Sequence, residues 1–203
     1  FQCEMLSTSL FFLSLITLAR ADCGFPNGTD AALHWWQSPG STTFAAATTV
    51  LDVRAVDSSN ADVYPLRLPE SIALRVTINN GETQSWNGDN FRLSLKVSQY
   101  GSLDGCSWTD VSSFASLADT PACENGAPCP FPLGDSQITV RTDLSSFEVF
   151  LPFPSHLFLY PFTFQPVINL LKNDSPYQFV YVFSDQSSSR SFGFTLQARA
   201  LTK

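Results

Sequence analysis

Apolar and polar residues alternate with a period of two in several stretches of the chain. Residues 71–79 read SIALRVTIN, which places two isoleucines, a leucine and a valine on one face of a strand. Residues 91–98 (FRLSLKVS) and 192–199 (FGFTLQAR) alternate in the same way. This pattern predicts strands with one buried and one solvated face, which is typical of antiparallel sheets.

Other parts of the chain also favour strands over helices. Further candidates are residues 49–56, 137–143, 147–151 and 177–184. Turn-forming clusters such as Asn79-Asn80-Gly81 stand between the candidates, and no stretch of ten or more residues has a helical period. About seven strands joined by loops predict an all-β fold, a two-sheet sandwich.

Residues 147–171 do not fit an ordinary strand pattern. They read FEVFLPFPSHLFLYPFTFQPVINLL, which is long and apolar enough for a membrane span but contains four prolines. Prolines would break a spanning helix, and lipid does not tolerate unpaired backbone groups. We therefore predict that this segment begins as a strand and continues as an apolar loop that contacts membrane or ligand.

Phenylalanine is concentrated in the same half of the chain. Eleven of the fifteen phenylalanines after residue 21 lie between Phe131 and Phe194. One interpretation is a solid core, with the following rings pointing inward: Phe147, Phe179, Phe183, Phe192 and Phe194. The other is a partly hollow interior that binds an apolar ligand. The predicted cavity or rim residues are Phe147, Phe150, Phe153, Leu157, Phe158, Tyr160, Phe162, Phe164, Tyr181 and Phe183.

The N-terminus predicts entry into the secretory pathway. An apolar run over residues 10–18 precedes small residues around position 20, so residues 1–21 are expected to be a signal peptide, with residues 1–4 an upstream addition. A buried N-terminal helix is the alternative. Residues 22–203 then form one domain. Asn27 and Asn173 begin N-glycosylation motifs, which also indicates secretion.

The remaining cysteines indicate an oxidising compartment. Cys123 and Cys129 flank a short stretch rich in turn formers, ENGAP, and we predict that they form a disulfide that closes a small loop. The Pro-Phe-Pro sequence after it would direct the next strand along the cavity rim. Cys23 and Cys106 either pair with each other or remain free, because sequence alone gives no distance between them.

Charge and motifs exclude several functions. The net charge of −7 argues against a nucleic-acid partner. With two histidines, no Gly-x-Ser-x-Gly motif and no cysteine spacing of the zinc type, the sequence predicts no catalytic residue, metal site or cofactor. We therefore expect a protein that is not an enzyme.

Several motifs resemble the ML-domain lipid-recognition family. Cys123-x5-Cys129-Pro-Phe followed by Gly134 resembles its Cys…Cys-Pro-x loop, and Asp22-Cys23-Gly24 is similar to its mature start. The stretches PCPFPLGDSQITV, PYQFVYVFSDQSSSR and GFTLQARALTK most resemble its ganglioside-activating member. The likeness covers most of residues 22–203 and is most specific from Cys123 onward.

The resemblance implies an immunoglobulin-like sandwich whose sheets enclose an apolar cavity. It also implies a secreted or lysosomal protein that takes lipid or glycolipid from membranes and presents it to a lysosomal glycosidase. One departure concerns the cysteines: the family ties its first cysteine to the last strand, where this chain has Phe194. The alternatives are a sandwich that binds protein or sugar in adhesion or immune recognition, and a secreted hydrolase.

Overall fold

The computed structural model describes residues 23–39, 44–68, 70–101, 105–111, 117–143 and 171–202. Within them the chain forms eleven strands, β1 to β11, and two 3-10 turns, Pro26–Gly28 and Gly88–Asn90. The strands are His34–Pro39, Phe44–Ala45, Thr48–Val56, Leu66–Arg67, Ile72–Asn80, Phe91–Tyr100, Trp108–Asp110, Thr120–Pro121, Gly134–Thr142, Ser175–Asp185 and Arg190–Leu201. The predicted signal peptide lies outside the described residues.

The larger sheet, sheet A, is built around the long hairpin of β10 and β11. Its order is β1-β11-β10-β6-β7, and these neighbours are antiparallel. The short strands β2 and β4 run parallel to the two ends of β11, and β8 pairs with the start of β6. Aromatic residues alternate along β10, so Tyr177, Phe179, Tyr181 and Phe183 all lie on its buried side.

The smaller sheet, sheet B, has the order β3-β5-β9 and is entirely antiparallel. The alternating residues Ile72, Leu74, Val76 and Ile78 are all buried, as the period of two predicts. Burial of each such side chain contributes about 1.5–3 kcal/mol to folding. Among the described residues, sheet B therefore supplies aliphatic side chains to the core, whereas the buried aromatic residues that lie on strands come from sheet A.

The two long sides of the sandwich are closed in different ways. On one side, the Gln37 side chain of β1 donates to the carbonyl of Thr48 and accepts from the backbone N–H of Val50, both at 3.1 Å. The amide thus bonds to the edge of β3 as a neighbouring strand would. On the other side, the chain crosses from β8 in sheet A to β9 in sheet B through the loop that holds Cys123 and Cys129.

The all-β sandwich prediction is confirmed. Every predicted strand within the described residues forms, with small differences at its ends, whereas residues 147–151 lie outside them. Strands β1, β2, β4, β7 and β8 were not predicted. Most of them contain only two or three residues, too few to display a period, and β1 carries the adjacent bulky pair Trp35-Trp36.

Candidate functional site

One end of the sandwich is filled with aromatic rings. This end, here called the closed end, is where β5 ends, β6 and β9 begin, and β10 turns into β11. The rings of Phe183 and Phe192 stack at 5.2 Å between centroids, and Phe131 lies 5.5 Å from Phe192 and 5.2 Å from Phe91. Trp86 packs on three of these rings. Phe183, one of the predicted cavity residues, therefore lies in a cluster of contacting rings.

Tyr181, another predicted cavity residue, connects the two sheets. Its ring stacks on Phe194 at 5.1 Å, and its hydroxyl lies 3.3 Å from the hydroxyl of Thr142 in sheet B. Complete burial raises the pKa of Tyr181 to about 12, so the phenol stays neutral at physiological pH. Phe194, at the position where the resembled family has a cysteine, is likewise a buried core ring.

The opposite end of the sandwich contains a cavity. Its volume is about 400 Å³, and it lies where β3 and β9 end and β5 begins. This end is here called the open end. The cavity is lined by Ala55, Val56, Asp57, Ser58, Val63, Leu66, Arg67, Glu70, Ser71, Ile72, Ala73 and Arg141. Leu66 and Arg67 belong to β4, which is attached to the end of β11, so both sheets contribute to the lining.

Two acidic residues of the lining already have partners. The Asp57 carboxylate accepts from the Ser59 hydroxyl at 2.6 Å and from the backbone N–H of Ala61 at 3.0 Å, and these bonds lower its pKa. Glu70 lies 3.9 Å from the guanidinium of Arg67. Arg141 is exposed, and within the part of the chain that the structure describes its side chain has no ion-pair partner.

The open end is also where the apolar segment leaves and rejoins the sandwich. Strand β9 ends at Thr142, which pairs with Ile72 of the cavity lining, and β10 begins at Ser175, which pairs with Ala200 beside β4. The predicted rim residues of this segment are outside the described residues: Phe147, Phe150, Phe153, Leu157, Phe158, Tyr160, Phe162 and Phe164. Their role in lining a cavity stays a prediction.

Both cysteine pairs are at disulfide geometry. Cys123 and Cys129 close the predicted small loop, with Cα atoms 5.5 Å apart. Cys23 and Cys106 pair with each other at a Cα distance of 5.3 Å, which decides between the two alternatives left open by the sequence. Disulfides are typical of proteins that fold in an oxidising compartment, so these two pairs are compatible with secretion.

The loop closed by the Cys123–Cys129 disulfide, here called the stapled loop, packs tightly against β9. The backbone N–H of Arg141 donates to the carbonyl of Gly126 at 3.3 Å, and Gly126 has φ 92°. A Cβ on Gly126 would lie 1.9 Å from the Arg141 carbonyl oxygen, so only glycine fits. After the loop, Phe131 enters the ring cluster, and β9 then runs from the closed end towards the cavity.

The outer face of sheet A carries a row of polar side chains. Gln197 donates to Gln178 at 2.8 Å and accepts from Asn27 at 2.7 Å, while the Ser98 hydroxyl donates to Asp110 at 2.9 Å. His34 pairs with Gln197 in the strand register and extends the row to β1. Sequence reasoning missed this row because its members come from five separate strands and one turn.

The two glycosylation motifs lie at the surface. Asn27 and Asn173 are both exposed, and the Asn173 side-chain oxygen accepts from the backbone N–H of Thr202 at 2.8 Å. Carbohydrate at these positions stays a prediction.

The residues of the open-end cavity were not predicted, since alternation along a strand cannot show that Arg67 and Arg141 meet at one site.

Two negative findings apply to the described ranges alone. No cluster of three or more His, Cys, Asp or Glu side chains there is arranged to hold a metal ion. No helix in those ranges has the length and apolar character required to cross a bilayer.

Comparison with known proteins does not assign the chain to a family. No protein-family model and no curated protein matches the chain. Among solved structures, the C-terminal domain of Wzt matches with a TM-score of 0.34 and 8% sequence identity, over 85% of this chain and 80% of that one. A structural match at this level supports no conclusion about fold family or function.

Proposed function

We propose that the protein binds lipid or glycolipid, takes it from a membrane surface, and carries it or presents it to a hydrolase. One observation supports this proposal above the others. The cavity of about 400 Å³ lies at the end of the sandwich where the apolar residues 147–171 leave and rejoin the two sheets. The destination in this proposal is extracellular or lysosomal, and a lysosomal glycosidase is the partner that the ML-like motifs suggest.

The magnitudes are sufficient for reversible docking on a membrane. Each Phe or Leu side chain transferred from water to an apolar environment contributes roughly 1.5–3 kcal/mol, so three of them supply several kcal/mol. A sixteen-carbon chain prefers an apolar site over water by about 13 kcal/mol, at about 0.8 kcal/mol per methylene. A membrane interior offers the lipid chain the same preference over water. A protein that extracts the lipid must therefore offer a similarly apolar site, and the free energy of the exchange is then close to zero.

A lipid-transfer assay tests this proposal. Donor vesicles that contain a fluorescent glycolipid are mixed with the protein and with acceptor vesicles, and the transfer rate is measured. Replacing Phe158 and Tyr160 with serine should lower the rate at least tenfold because the apolar membrane contact is lost. Leu51→Ser is the matched control, since Leu51 is 53% exposed on β3, outside the apolar segment, and its replacement should leave the rate unchanged.

A second candidate function is the binding of sugar or protein by a solid sandwich. The ring cluster at the closed end favours it, because rings that contact each other fill the interior that an enclosed lipid cavity would require. Trp36, partly exposed on β1 beside the polar row, would be its contact residue. Absence of lipid transfer together with glycan binding that Trp36→Ala abolishes would favour this function. Glycolipid turnover by the pure protein would instead indicate a hydrolase.

A further inference from the structure

The basic residues of the described chain are almost all in ion pairs. Each described lysine or arginine has a carboxylate within ion-pair distance except Arg141 and Lys172. This is expected in a chain of net charge −7, where acidic partners are abundant. A cation without a carboxylate partner is therefore unusual among the residues that the structure describes, and of these two Arg141 is the one that lines the cavity.

The surroundings of Arg141 combine a cation with an apolar wall. In the sheet register Arg141 lies beside Ala73, which in turn lies beside Val56, and all three line the cavity. Leu66 and Ile72, buried at 3% and 4% exposure, also belong to the lining, with Ile72 on the inward face of β5 and Ala73 on the outward one. Such a cavity matches a ligand with an apolar body and a negatively charged end.

Neither acidic residue of the described cavity lining, Asp57 or Glu70, forms an ion pair with Arg141. The Asp57 carboxylate is occupied by Ser59 and Ala61 in its own turn, and Glu70 faces Arg67 at 3.9 Å. Arg67 also lines the cavity, but its charge is paired with that of Glu70, which leaves Arg141 as the described lining cation without an ion-pair partner. A guanidinium binds a carboxylate through two parallel hydrogen bonds, which gives both strength and orientation.

We propose that the open-end cavity binds a single-chain anionic amphiphile, with its acidic head at Arg141 and its chain along the apolar lining. A cavity of about 400 Å³ is near the lower end of the range for ligand sites, which favours one chain over two. This inference rests on the proposed lipid-binding function and deepens it by naming the class of ligand.

The test compares a charged with an uncharged ligand of the same shape. Binding of a fluorescent hexadecanoate and of its methyl ester is measured by titration at neutral pH, below the micelle concentration. The unsubstituted protein should bind the carboxylate about tenfold more tightly than the ester, since charge-assisted hydrogen bonds are made by the carboxylate alone. Arg141→Gln should remove this preference by weakening carboxylate binding about tenfold and leaving the ester unchanged.

Three further variants locate the effect. Arg141→Lys retains the charge and should recover part of the preference. Lys96→Gln removes the same charge from a surface pair with Asp110, where both side chains are mostly exposed, and should change neither ligand. Ala73→Phe should fill the cavity and weaken both ligands, with circular dichroism used to establish that the variant is folded.

The outcomes separate this inference from the function on which it rests. Equal binding of carboxylate and ester, or equal weakening of both by Arg141→Gln, overturns the anionic head at Arg141 but leaves lipid binding in place. A loss of preference in Lys96→Gln as large as in Arg141→Gln also overturns it, because the effect would then reflect net charge. Failure of both ligands to bind the unsubstituted protein overturns both proposals.

Discussion

The two ends of the sandwich are built on opposite principles. At the closed end, aromatic rings from sheet A and from two loops contact each other, as Phe131, Phe183 and Phe192 illustrate. At the open end, six apolar and six polar or charged residues line a cavity, and the Cys23–Cys106 disulfide connects the N-terminal segment to the chain just after β6. The comparison indicates that ring packing is concentrated at one end, whereas the other end combines a cavity with a long-range disulfide.

The largest expected effect on stability comes from removing a disulfide, and the two disulfides should differ in this effect. Cys23 and Cys106 are separated by 83 positions, whereas Cys123 and Cys129 are separated by 6. In the loop-entropy treatment, removal of the first costs about 4.5 kcal/mol and removal of the second about 2 kcal/mol. Paired Cys→Ala variants, compared by urea denaturation, should show this order. Equal losses of stability from the two paired variants would contradict the expected dependence on loop length.

Truncation of a core side chain should cost more at the closed end. Phe131→Ala removes a fully buried ring that contacts four other aromatic rings, and we expect a loss of about 3–5 kcal/mol. Leu66→Ala should cost only about 2–3 kcal/mol, because Leu66 already borders the cavity and loses fewer contacts. A larger loss for Leu66→Ala in the same denaturation experiment would contradict the contrast between the ends.

The approach of the stapled loop to β9 depends on Gly126. Gly126→Ala should destabilise the protein by about 1–3 kcal/mol or more, because alanine is strained at φ 92° and its Cβ would overlap the Arg141 backbone. Gly134→Ala is the matched control: it has φ 72°, but no atom lies within 4 Å of the added Cβ. If Arg141 binds ligand, Gly126→Ala should also weaken hexadecanoate binding. Equal destabilisation by the two variants would show that the close approach is unimportant.

How far the fold could be predicted depends on strand length. Strands β5, β6 and β11 have nine or more residues, so the alternation that predicts a one-sided strand is visible in each. The two-residue strands β2, β4 and β8 have no period, because they form only where the backbone of a distant strand is available. Strand β11 is buried on both faces, which alternation alone does not predict.

The site was harder to predict than the fold. The Cys123–Cys129 disulfide follows from close spacing and compartment, but pairing of Cys23 with Cys106 required a distance. Among the described residues Arg141 has no ion-pair partner, and this depends on which carboxylates the other basic side chains contact, which a sequence does not show. Tyr181 and Phe183 were predicted to line a cavity or its rim; both are buried, and alternation could not show that their rings pack against neighbouring rings.

The smallest expected effect concerns pH at the closed end. Asp185, the last residue of β10 before the turn to β11, is buried, which alone would raise its pKa, but hydrogen bonds from Ser187 and Ser188 outweigh this and lower the pKa. A lowered folded-state pKa contributes stability above the unfolded value of 3.8, and that stability is lost as pH falls through the folded-state pKa. Asp185→Asn should therefore cost about 1 kcal/mol at pH 7, and the difference from the unsubstituted protein should shrink as denaturation is repeated towards pH 2. A difference that stays constant with pH would show that the carboxylate charge does not stabilise this turn.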